Sequence, residues 1–165
     1  MPKIELKFQD LSGLNFEYNN LSNSDFRGTN FDTTKISNVN FTRANLSYTD
    51  LSGKDITGTI LTRTNLSHAI LTGVDLSGND LTETILTGVD LSGVDLTGTI
   101  LRGADLSNSI LTGADLSGKD LSNAILTGSD LTNAVLTGAI LTGADLENTV
   151  LTGTILNCVG HPICV

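Results

Sequence analysis

A chain of 165 residues with 39% apolar and 16% charged side chains fits a single folded domain, and no run of about 18 apolar residues is present to cross a membrane. The formal net charge of −9 is unevenly placed: residues 1–65 carry seven acids and seven bases, whereas residues 66–165 carry eleven acids against Arg102 and Lys119. This argues against direct nucleic-acid binding through a basic surface, and the first 20 residues are too polar for a leader to be expected, so a cytoplasmic location without a membrane partner is the expectation.

From Leu6 onward, every fifth residue through Leu156 is Leu, Phe or Ile, giving 31 apolar centres without an insertion or deletion. A helix repeats every 3.6 residues and a flat strand every 2, so neither alone makes every fifth side chain equivalent. The first centres are bulky: Phe16, Phe26, Phe31 and Phe41 are expected to plug the N-terminal end. Leu takes over after Ile56, with Leu46, Leu66, Leu76, Leu96, Leu106, Leu116 and Leu146 among the structural centres. With Trp absent and aromatics scarce, the core is expected to be narrow and built from stacked aliphatic side chains.

The other four positions of the pentad have separate preferences. Two residues before the centre stands Ala, Ser, Thr or Val in 24 of 31 units, a sterically tight, inward place that Lys54 and Lys119 violate. Two residues after it stands Gly in 16 units and Asn in six, the residues that tolerate positive φ, so the chain turns once per pentad. One residue after it stands Ser or Thr in 24 units, as on the outer surface of a short extended segment. A turn of about 90° per pentad closes a square in four units, and parallel coils about 4.8 Å apart would make a rod roughly 37 Å long. Such a coil buries its core only against its neighbours.

Residues 20 apart then lie in one column, and the residue before each centre shows what each column carries. Ile60, Asp80, Ile100, Asp120 and Ile140 alternate acid with aliphatic, as do Asp50, Ile70, Asp90, Ile110, Asp130 and Val150; Asn65, Ile85, Asp105, Ile125 and Asp145 do much the same. The remaining column stacks Asp55, Asp75, Asp95 and Asp115 without a break. Like charges facing each other across neighbouring strands are destabilising, so this column either bears that cost or offsets it by hydrogen bonds to nearby turn N–H groups. It is the candidate interaction column.

Units such as Ala44-Asn45-Leu46, Ala104-Asp105-Leu106, Ala114-Asp115-Leu116 and Ala144-Asp145-Leu146 resemble the A-(D/N)-L-x-x pattern of the pentapeptide-repeat family, and the resemblance spans residues 4–158. It implies an all-β fold, a right-handed quadrilateral parallel β-helix of about eight coils, with residues 159–165 as a C-terminal cap. The family includes inhibitors and protectors of DNA gyrase, which implies one concrete partner, but fold does not by itself assign function. The tail is shorter than the C-terminal dimerising module of some gyrase-directed relatives, leaving a monomer or a weak end-to-end dimer as the expectation.

The tail holds both cysteines. Cys158, His161 and Cys164 would offer three zinc ligands without an evident fourth, and a disulfide between the two cysteines would need an oxidising compartment, for which the sequence carries no signal, so an apolar cap with incidental thiols is the expectation, with no cofactor and no metal. His68 and His161 are the only histidines, no nucleophile and base recur together, and a Leu-filled rod leaves no ligand-sized pocket, so no enzyme is expected. Tyr18, Tyr48 and His68 occupy turn positions, and Phe8, Gly28, Tyr48 and His68 share a column that would form a small contact patch.

The sequence therefore reads as a rigid, non-enzymatic protein-interaction rod acting through acidic faces. Its sharper version is a DNA mimic: the Asp55, Asp75, Asp95, Asp115 column occupies a basic groove of DNA gyrase or another topoisomerase in place of a phosphate strand. A second alternative is ice binding through Ser/Thr arrays such as Thr62 and Thr82, or Thr112, Thr132 and Thr152, although no face is Thr throughout.

Overall fold

In the computed structural model, which describes residues 3–164, the pentads wind into a four-sided solenoid held by isolated parallel bridges between residues 20 apart. We number its faces by the residue preceding each centre. The first face carries Glu5 through Asp145, the second Asp10 through Val150, the third Asn15 through Ile155 and the fourth Asn20 through Ile140, each in steps of 20. Every pentad has one short extended piece, too brief for a longer strand, because the next turn arrives after three residues.

The turn is uniform although its residue is not. Every residue two after a centre, from Phe8 to Gly153, has φ between 51° and 73°. Asn and Gly accept this left-handed conformation readily, whereas Thr33 at φ 51° is a β-branched residue held there against its preference. Turn side chains lean over the turn of the following coil, which explains some of the alternation between Asn and Gly. Asn108 lies over Gly128, where an added Cβ would sit 2.7 Å from Asn108 Oδ1.

Inside, the centres form a continuous ladder. Leu66, Leu76, Leu86, Leu106, Leu116 and Leu126 are at most 1% exposed, and Leu46 is equally buried. Toward the N-terminal end Phe26, Phe31 and Phe41 are fully buried while Phe16 is half-buried, with the Phe26 ring 5.8–6.4 Å from the other three. The residue two before the centre also faces inward: Ala104, Ala124 and Ala134 are wholly buried. Where Thr takes that place, its hydroxyl is satisfied by a backbone carbonyl, either of the preceding coil, as Thr64 Oγ1 donates to Phe41 O at 2.8 Å and Thr84 Oγ1 to Leu61 O at 2.9 Å, or of the preceding centre, as Thr59 Oγ1 donates to Ile56 O at 2.6 Å and Thr99 Oγ1 to Leu96 O at 2.7 Å.

The C-terminal end differs from the sequence expectation. Cys158 and Cys164 are not incidental thiols but form a disulfide, with Cα atoms 4.8 Å apart, because the chain turns back on itself around His161 and Pro162. Their sulfurs are therefore committed to each other rather than to zinc, and no group of three or more His, Cys, Asp or Glu among the described residues is placed to hold a metal ion. Val159 still pairs with Ile140, in a step of 19 residues instead of 20. Among the described residues, no helix is long and apolar enough to cross a membrane.

Candidate functional site

The four faces are not equally well joined. On the first face every step from Glu5 to Asp145 is bridged, whereas on the third face the bridges stop after Asn15↔Lys35 and resume only at Asp115↔Val135. The four missing steps run through Lys35, Asp55, Asp75, Asp95 and Asp115, which takes in the whole unbroken Asp column. Elsewhere only single steps are missing: Ile60 to Asp80 and Ile100 to Asp120 on the fourth face, and Ile70 to Asp90 on the second.

Two causes meet in the third face. Its carboxylates repeat on adjacent coils, where like charges oppose close pairing. Its inward small position is also overfilled by Lys54, Val74 and Val94, whereas the first face offers Ser24, Ala44, Thr64, Thr84, Ala104, Ala124 and Ala144. The single gaps fit the second cause: Asp80 follows Asn79, Asp120 follows Lys119, and Asp90 follows Val89. Val39 keeps its bridge, between the neutral Asn20 and Asn40. Lys54 and Lys119 are half-buried, so neither ammonium lies deep in the core.

Each carboxylate of the column also has a local task. Asp55 accepts from Thr57 N at 2.9 Å, Asp75 from Ser77 N at 2.8 Å, Asp95 from Thr97 N at 2.7 Å and Asp115 from Ser117 N at 2.9 Å. The hydroxyls of Thr57, Thr97 and Ser117, then the same backbone N–H groups, hold the carboxyls of Asp55, Asp95 and Asp115 below their ordinary range. This Asx turn recurs at Asp80, Asp90 and Asp120 on other faces, so it does not set the column apart. What does is the loss of the inter-coil bridges beside it, where only the turn bonds from Asn38 N to Thr57 O at 2.7 Å and from Gly78 N to Thr97 O at 2.8 Å still join the coils. The opened wall forms a cleft of about 380 Å³ lined by Lys54, Asp55, Thr57, Asp75, Ser77 and Asp80. Behind it a void of about 10 Å³ touches Ile36, Ile56, Val74 and Leu76.

The remaining candidate residues are placed as follows. Tyr48 and His68 stack at one corner, with ring centroids 4.9 Å apart, and Phe8 lies over Gly28 on the same corner; Tyr18 is exposed on a different one. Three of the seven basic residues in positions 1–65 pair with acids: Lys3 with Glu5, Arg27 with Asp25 at 2.8 Å, and Arg63 with Glu83 at 2.7 Å across one coil. The Thr arrays do not merge, since Thr62 and Thr82 follow the fourth face, where Arg102 interrupts them, and Thr112, Thr132 and Thr152 follow the second.

Comparison with known proteins places this geometry. A family profile described as pentapeptide repeats matches in 8 copies, over residues 10–47, 33–63, 59–98, 90–128 and 129–159. No curated protein matches the chain. Among solved structures, a trypsin-treated form of QnrB1, a plasmid-mediated fluoroquinolone resistance protein, is 18% identical over 93% of this chain and 91% of its own, with a TM-score of 0.56. HetL, a pentapeptide repeat protein involved in heterocyst differentiation regulation in the cyanobacterium Nostoc, is 26% identical over 94% of this chain and 92% of its own, with a TM-score of 0.42. Rfr23 from the cyanobacterium Cyanothece is 24% identical over 95% and 91%, with a TM-score of 0.22.

Proposed function

Because the chain belongs to the pentapeptide-repeat family, we propose that it is a non-enzymatic interaction rod, wound as a right-handed quadrilateral β-helix, whose third face binds a cationic surface on a protein partner. One observation carries this reading: the uninterrupted Asp55, Asp75, Asp95, Asp115 column coincides with the only run of consecutive unbridged steps among the described residues. A fold selected for stability alone would alternate charge here, as its other faces do, and would keep the inward position small. Retaining both irregularities on one face is the pattern of a surface held for binding at the expense of pairing.

The test is affinity capture from the native cell with elution by rising salt, using wild-type protein and a variant with Asp75, Asp95 and Asp115 all changed to Asn. Asn keeps the Oδ1 acceptor that closes each turn and removes only the charge. Loss of the salt-sensitive partner in the variant supports the reading, and retention with an unchanged salt dependence rules it out.

The finer reading follows from the family resemblance and the charge of the column. The rod enters the DNA-binding groove of a type II topoisomerase such as DNA gyrase, in place of DNA. It predicts inhibition or protection of supercoiling by the wild type and not by the triple Asn variant.

A further inference from the structure

The centres at the C-terminal end have no later coil to cover them: Leu146, Leu151 and Leu156 are half-buried, whereas Leu131, Leu136 and Leu141 are wholly buried. Residues 157–164 fold over this end, and Cys158, Ile163 and Cys164 pack against the core. The first part of the segment is hydrogen-bonded to the coil beneath. Gly138 N donates to Asn157 O at 2.6 Å, Leu141 N to Val159 O at 2.8 Å, and Val159 N to Ala139 O at 2.8 Å.

Beyond Gly160 the attachment changes in kind. Among the described residues, the hydrogen bonds of residues 161–164 stay inside the segment, from Cys164 N to His161 O and from Ile163 N to His161 Nδ1. Apart from apolar contact, the Cys158–Cys164 bond is what returns this part of the chain to the solenoid. Both cysteines are half-buried, hence open to a small thiol reagent, unlike the core residues beneath them.

We propose that the Cys158–Cys164 disulfide is a redox latch on the C-terminal cap: oxidised, it holds residues 161–164 against the last coil; reduced, it releases them, so that residues 157–159, left with only their backbone hydrogen bonds to the coil beneath, open more often and uncover an apolar end. The reductant is a dithiol. Its thiolate attacks one cysteine sulfur, forming a mixed disulfide and expelling the other cysteine as thiolate. Its second thiol then closes the reductant's own disulfide and expels the first cysteine. Two electrons pass to the protein sulfurs, which take up two protons. Closing a loop of this length restricts the open cap by a factor on the order of 50, and terminal coils of a solenoid fray most easily because they have one neighbour instead of two.

Hydrogen exchange read by mass spectrometry tests the latch, on the full chain before and after dithiothreitol, with Cys158→Ser/Cys164→Ser as a form that cannot close. Reduction should speed exchange at Leu141 and Val159 by tenfold or more, up to about 50-fold, while Leu86 and Leu106 stay unchanged. The double variant should match the reduced protein and ignore dithiothreitol. Equal protection at Leu141 and Val159 in all three forms would overturn the proposal, as would two titratable free thiols in the protein before reduction.

Discussion

The first and third faces have the same pentad length, the same turns and a buried ladder of mostly Leu centres, with Ile36 and Ile56 on the third, yet one is bridged at every step and the other is open over four in succession. The difference lies in two side chains per pentad. On the first face the inward position is Ala, Ser or Thr from Ser24 onward, and the outward column breaks its acids with Asn45, Asn65, Ile85 and Ile125. On the third face Lys54, Val74 and Val94 fill the inward position while Asp occupies the outward one four times running. A solenoid repeat therefore tolerates a bulky inward residue singly, at the cost of at most one bridge, keeps its bridge between Glu5 and Asp25 despite their like charge, and opens over several steps where the two irregularities coincide.

The largest expected effect separates the walls by their packing. Leu86→Ala on the first face should cost about 3–5 kcal/mol, and Leu76→Ala on the third should fall nearer 2 kcal/mol, because a loosely joined wall collapses more readily onto the deleted volume. Equilibrium denaturation of both variants checks the order. Overfilling the good face should imitate the poor one: Ala104→Val, at a position with no exposure, should cost about 1–3 kcal/mol and speed amide exchange at Leu86. If Ala104→Val is neutral, bulk at the inward position is not a cause of opening.

A smaller effect of opposite sign is expected from charge. Changing Asp75, Asp95 and Asp115 to Asn should raise stability by up to about 1 kcal/mol, since repulsion is relieved while each turn keeps its acceptor. A variant more stable than wild type but unable to bind also separates loss of function from loss of fold. The smallest effect concerns pH. The carboxyls of Asp55, Asp95 and Asp115 are depressed in the fold, so their contribution is present above the unfolded carboxylate range near 3.9 and is lost as pH falls through their lower folded values. The melting temperature should decline between about pH 4 and pH 2, with a shallower decline in the triple Asn variant.

Much of this molecule is legible in the sequence because the pentad is a strict period. Leu at every fifth place specifies the ladder, and Gly or Asn two places later specifies the turn. Four turns per coil then put Asp55 above Asp75 without reference to any coordinates. The opened wall is not legible in the same way. It depends on how Lys54, Val74 and Val94 share one column with the acids, and a pattern read along the chain treats Val as another small inward residue. Phe8 and His68 look like exceptions in the turn position, but the structure lays them over Gly28 and Gly88, so the glycines two coils of side chain need are visible only as pairs 20 apart. The disulfide escapes for another reason. Two cysteines six residues apart can lie on either side of a turn or point away from each other, and the repeat has stopped by then, so nothing periodic decides between the two.

Amide hydrogen exchange of the centres measures the contrast between the faces most directly. Leu66, Leu86 and Leu106 each donate to the next coil at 2.7 Å, whereas Ile56, Leu76 and Leu96 have no such inter-coil bond. The predicted result is exchange at Ile56, Leu76 and Leu96 at least about tenfold faster than at Leu66, Leu86 and Leu106, with the gap narrowing in the triple Asn variant. Equal protection of the two sets would contradict the account, because it would mean that the third face is joined as tightly as the first.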